Sequence, residues 1–169
     1  MDLRRWCALL PDLGPVPSDE WRIHSSRPSE SRVLVIWLVK PGGDRSGQEF
    51  FEHKLRELAK ISADPEPEVS GHPPGLTKYS FKAWRRTGLL LEDLYTYDFG
   101  EGRRLNISCP VLGQFPNPIC DGWWRLEAGI VLSYRFREVY LPEWRQIHER
   151  TVALVDSFRT EPRPGSARP

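Results

Sequence analysis

The chain reads as an α+β domain: an antiparallel β-sheet, mostly a meander, with an early helix and a C-terminal helix packed on it. Three observations predict this. Short runs in the middle of the chain alternate apolar and polar residues, the period of half-buried strands. Two longer segments, one before and one after those runs, place apolar residues at helical spacing. Glycine and proline clusters separate the runs, where turns are needed.

Taken in order, residues 1–16 read as an irregular lead-in, and 11–19 hold three prolines. Trp21-Arg22-Ile23 reads as the start of the first strand. Val33-Leu34-Val35-Ile36-Trp37-Leu38-Val39 is a β-branched apolar run, which predicts a strand buried on both faces and central in its sheet. Pro41-Gly42-Gly43 ends it. Ser46-Gly47-Gln48-Glu49 is a capping box, in which Ser46 accepts from the amide of Glu49. The helix it opens runs to about Ile61, with Phe51, Leu55, Leu58 and Ser62 on one stripe. Four prolines and two glycines mark 63–75 as loop, with Val69 in a short edge strand.

Leu76 to Trp84 alternates: Tyr79, Phe81 and Ala83 point one way, Lys78, Ser80 and Lys82 the other. Leu89 to Phe99 and Arg103 to Cys109 are the next strands, joined by the hairpin turn Gly100-Glu101-Gly102. Residues 110–122 form a Pro/Gly loop. A long alternating run then carries Leu126, Ala128, Ile130, Leu132, Tyr134 and Phe136 on one face, with Glu127, Gly129, Ser133, Arg135 and Arg137 on the other. Pro142 suits a first helical residue, and Trp144, Ile147, Thr151, Leu154, Val155 and Phe158 follow at helical spacing. The tail, 160–169, is polar and proline-rich and is expected to be disordered. One domain over 17–159 is expected, since 169 residues suit a single domain.

Composition narrows the function. The 24 basic and 23 acidic residues leave a net charge of +1, without the basic excess that nucleic-acid or anionic-membrane binding needs. No apolar run approaches the roughly 20 residues of a spanning helix. The five-residue apolar patch near the N-terminus is too short for a secretory signal. These features give a cytosolic expectation. There are three cysteines, Cys7, Cys109 and Cys120. An odd number suits a reducing compartment, so Cys109 and Cys120 read as unpaired thiols, although they flank a loop that could bring them close.

No catalytic motif stands out. There is no phosphate-binding glycine loop and no nucleophile elbow. His24, His53, His72 and His148 include no i, i+4 metal pair, and the gap between Cys109 and Cys120 is not a zinc-knuckle spacing. No metal and no cofactor is expected. Asp93 shares the face of Leu89, Leu91, Tyr95 and Tyr97 if alternation is strict, where its carboxylate needs a partner; a bulge near Glu92-Asp93 would instead turn it outward.

The chain holds seven Trp, seven Phe and five Tyr. Trp37, Trp84, Leu90, Leu94, Trp123 and Trp124 exceed the needs of one core face. Either they form an exposed contact patch for a partner, or the sheet is covered on both sides and hides them.

The order of elements resembles the Mog1/PsbP/DcrB-like superfamily. The residues that carry the likeness are the early strand VLVIWLV, the helix GQEFFEHKLRELAKIS, Gly71-His72 before the meander, and a last helix closing on Val155-Asp156-Ser157-Phe158. The bacterial DcrB-type members are most similar, over about residues 17–159. Domains of that family are mostly binding modules, and some bacterial members are cytosolic chaperones that shield apolar segments of a secreted effector. The resemblance, the missing catalytic set and the spare aromatics together imply a non-enzymatic protein-binding module. It would be a bacterial cytosolic chaperone, adaptor or immunity-type protein whose partner is an effector or toxin. Two other readings remain open. One is a small-molecule-binding or enzymatic domain using a sheet–helix cavity with Asp93, His72, Tyr95 and Arg104. The other is a structural subunit whose Trp-rich face makes a homo-oligomer.

Overall fold

Among the described residues eight short segments become strands and pair into one antiparallel sheet. The computed structural model describes residues 4–10, 12–27, 30–39, 47–72, 75–82, 92–111, 117–126 and 130–160. The strands are β1 (Arg4–Leu9), β2 (Val33–Val39), β3 (Glu68–His72), β4 (Leu76–Ser80), β5 (Glu92–Asp98), β6 (Arg104–Pro110), β7 (Ile119–Arg125) and β8 (Val131–Arg137). Their order across the sheet is β1-β2-β8-β7-β6-β5-β4-β3, and every pairing is antiparallel. Strands β3 to β8 form the expected meander. Helix α2 (Gly47–Ile61) carries the chain from β2, near one edge, to β3 at the other.

Strand alternation sorts the side chains into two cores. Leu34, Ile36, Leu105, Ile107, Leu132, Tyr134 and Phe136 meet Trp144, Ile147 and Val155 of α3 (Trp144–Thr160). On the opposite face Leu94 and Phe81 meet Phe51 and Leu58 of α2. The sheet is therefore a middle layer between two helices.

Several expectations change. The lead-in contains an edge strand, since Arg4 to Leu9 pair with Leu38 to Val33. Consequently β2 is flanked on both sides but sits one strand from the edge. Its burial fades from Trp37 onward. Trp21-Arg22-Ile23 is helical, inside α1 (Ser18–Ser26); Asp19 and Glu20 in its first turn suit a helix N-terminus. Pro142 lies in a 3-10 segment, Glu138–Glu143, ahead of α3. The long run after residue 125 is not one strand. The Leu126 amide donates to the Ile130 carbonyl and closes a turn between β7 and β8. Alternation continues through the turn and conceals it. Ile119 to Gly122, read as loop, belong to β7. Ser46 of the capping box and the tail beyond Thr160 lie outside the described residues.

Cys109 and Cys120 are joined by a disulfide rather than being free thiols, with Cα atoms 4.2 Å apart. The register explains it. Ser108 faces Asp121, which puts the two cysteines directly across from each other on β6 and β7. Both are buried in the α3-side core.

Candidate functional site

The α2-side face is unevenly covered. Helix α2 packs over β6 and β7, and α1 rests against β2. Neither α1 nor α2 has β8 as a main packing partner. The strip between the two helices runs along β8 and the adjoining parts of β2 and β7.

Register puts Trp37 opposite Ser133 and Ser133 opposite Trp123. Two strand spacings, roughly 10 Å, separate the backbones that carry them, with Ser133 on the strand between. Both indoles are half-buried. The result is a shallow trough with aromatic walls. Arg135, two residues further along β8, stacks its guanidinium over the Trp37 ring at 5.0 Å and pairs with Asp121. Burial raises the Asp121 pKa despite the opposing pull of Arg135. Towards α2 the polar line continues: the Ser108 hydroxyl donates to Glu92, whose carboxylate meets Lys54 at 2.8 Å.

At the α1 end the trough deepens into a pocket of about 110 Å³, lined by His24, Trp37, Ile119, Arg135, Phe136 and Arg137 together with Val33 and Val35. Exposed Trp21 stands edge-on to His24 of this lining, 5.8 Å between centroids.

Of the six residues singled out from sequence, the structure brings together Trp37 and Trp123. Leu94 and Trp124 require correction, because neither is available to a partner. Leu94 is 2% exposed beneath α2, and Trp124 is 7% exposed in the α3-side core. Adjacent residues of a strand face opposite ways, so only one of Trp123 and Trp124 can look onto the strip. Trp84 and Leu90 lie outside the described residues.

The alternative set of Asp93, His72, Tyr95 and Arg104 does not converge. Alternation through β5 is strict, so Asp93 does share the face of Tyr95, and its partner is Lys78 at 2.7 Å. Tyr95 is buried, which raises its pKa strongly. Arg104 sits on the other face, 3.4 Å from Asp98. His72 ends the edge strand β3 rather than lying in a loop.

Sequence reasoning missed Arg135 and Arg137 as site residues, although alternation in LSYRFR had placed both opposite Tyr134 and Phe136. What it lacked was the β2–β8 register that sets Arg135 beside Trp37.

Beneath α3, His148 is buried among Trp124, Tyr134 and Phe99, with its Nδ1 3.1 Å from the Tyr134 hydroxyl. Burial lowers its pKa from the ordinary 6.5 to about 4. The fold keeps this imidazole neutral, whereas the unfolded chain takes up a proton as pH falls below 6.5. The contribution is complete above that pH and is lost on acidification towards pH 4, about 3 kcal/mol in all. Urea midpoints at pH 7 and pH 4.5 measure it. A His148→Gln variant is expected to show a much shallower pH dependence; equal slopes in the two proteins would contradict the assignment.

No protein-family model matches the chain, and no curated protein sequence does. Neither comparison supports the Mog1/PsbP/DcrB resemblance. A search of solved structures finds Smlt3025, an immunity protein of the Stenotrophomonas maltophilia type IV secretion system. The match has a TM-score of 0.59 and 14% identity, over 93% of this chain and 81% of that one. At that identity the two share a fold. Among the described residues no helix is long and apolar enough to cross a membrane.

Proposed function

We propose that the chain is a protein-binding module of the immunity type, which neutralises a secreted effector by docking it on the strip of β2, β8 and β7. One observation carries this reading: two half-buried tryptophans and an exposed arginine share the part of the α2-side face that lies between α1 and α2. Tryptophan and arginine are enriched among the residues that dominate binding energy at interfaces. An indole already held in place loses little conformational entropy on binding.

The shared fold with a type IV secretion immunity protein supports a role in neutralising an effector. An adaptor or chaperone would use the same face, and protection from toxicity separates the two. The Cys109–Cys120 disulfide supports work in an oxidising compartment, because such bridges rarely persist in a reducing cytosol. The expectation of free thiols had itself rested on a reducing compartment.

Co-expression with the toxic product of the gene beside its own is the direct test. The expected result is restored growth and a co-purifying complex of the two proteins. Growth arrest that persists, with no complex formed, would sink the proposal.

A further inference from the structure

The pocket at the α1 end of the strip contains a charge that the described residues leave largely unanswered. Arg137 is 8% exposed and lines the pocket. Its guanidinium donates to the Asn117 carbonyl oxygen at 3.3 Å, one bond for a group with five N–H donors. Among the described residues no carboxylate forms an ion pair with it, and burial alone acts on its pKa, downward. Arg135 lines the same pocket but is paired with Asp121. The described lining holds arginine and histidine and no acidic residue; Trp37, Ile119 and Phe136 supply apolar walls.

Desolvating a guanidinium for one neutral hydrogen bond costs stability. Such a cost is typical of functional sites, where a group outside the chain completes the pairing. The space is about 110 Å³. At ~30 Å³ per water-sized group it admits a carboxylate with one or two methylenes, and no folded segment. A planar fork of donors matches a carboxylate in two-point geometry. Trp37 and Arg135 belong both to the pocket and to the trough, so a protein lying along the strip would pass over the pocket mouth.

We propose that this pocket receives a single aspartate or glutamate side chain of the partner protein, its carboxylate paired with Arg137 and its stem against Trp37 and Ile119. The proposal rests on the reading of the strip as a docking face, which supplies the protein that bears the carboxylate.

The test uses the intact chain and no partner, so its failure is distinguishable from a failure of effector neutralisation. ¹⁵N-labelled protein is titrated with N-acetyl-glutamate N-methylamide, with its glutamine counterpart, and with inorganic phosphate. The glutamate probe is expected to shift the Arg137 Nε–H and Trp37 indole signals saturably, and the glutamine probe to leave them in place. Arg137→Met should weaken binding at least about tenfold and, by removing an unpaired buried charge, raise Tm by roughly 2–4 °C. A structural arginine would lower Tm when removed. Should Arg137→Met fail to fold, Arg137→Lys keeps the charge without the fork and should still weaken binding. Equal responses to both amide probes, or none, would overturn the proposal. So would phosphate binding more tightly than the glutamate probe, which would mark a site for free anions.

Discussion

Replacing Trp37 and Trp123 together with alanine is expected to weaken effector binding by at least about 100-fold while leaving a folded protein. Each indole is half-buried, so truncation removes a binding wall and only part of a core contact. Central interface tryptophans commonly contribute about 2 kcal/mol or more each, and such values do not add simply. The two walls flank the same serine, so either single variant should already lose most of the trough. Trp37→Ala also removes the ring beneath Arg135 and should be the more damaging of the two. Leu94→Ala is the informative control. That side chain is sealed beneath α2, so its loss should cost about 2–5 kcal/mol of stability with little change in the affinity of the folded fraction. Calorimetric titration against the effector, paired with thermal melts, separates the two behaviours. Full affinity in the double tryptophan variant would remove the strip from consideration.

The second large effect is expected at Gly122, and it concerns space rather than backbone freedom. Gly122 faces Tyr134 across β7 and β8. A Cβ at this position would lie 2.6 Å from Tyr134 Cε2 and 2.7 Å from Cζ. The ring cannot swing aside cheaply. It is fully buried, stacks on Phe136 and holds His148 through its hydroxyl. Gly122→Ala should therefore cost about 3 kcal/mol, combining overpacking with a weakened Tyr134–His148 bond. For a chain of this length that lowers Tm by roughly 6–12 °C. Tyr134→Leu vacates the space, so adding Gly122→Ala to it should cost much less than adding it to the native chain. Additive losses would show that the contact is not what makes the glycine necessary.

Much of the fold was legible because long periodic segments announce themselves. The stripe of Phe51, Leu55 and Leu58 and that of Trp144, Ile147 and Val155 gave both major helices, and alternation from Leu76 to Cys109 gave the meander. The short elements were not legible. Arg4–Leu9 has too few residues to display a period, and Trp21-Arg22-Ile23 looks β-like unless Asp19 and Glu20 are read as a helix start. Long-range register was also hidden. Nothing local says that Cys120 faces Cys109, or that β2 pairs with β8 and so brings Trp37 and Arg135 together. The candidate site was half visible. An excess of large aromatics pointed to a contact surface, but which of them a helix would cover depended on where α2 crosses the sheet. Reading 119–122 as loop concealed the alternation that turns Trp123 out and Trp124 in.

Hydroxyl-radical footprinting of the chain, alone and in complex with its effector, bears most directly on the docking face. Trp37, Trp123 and Ile119 should lose reactivity on binding, while Val69 on the far edge strand and Phe158 on α3 keep theirs. Protection at Val69 or Phe158, with the two tryptophans unchanged, would place the partner elsewhere and contradict the account.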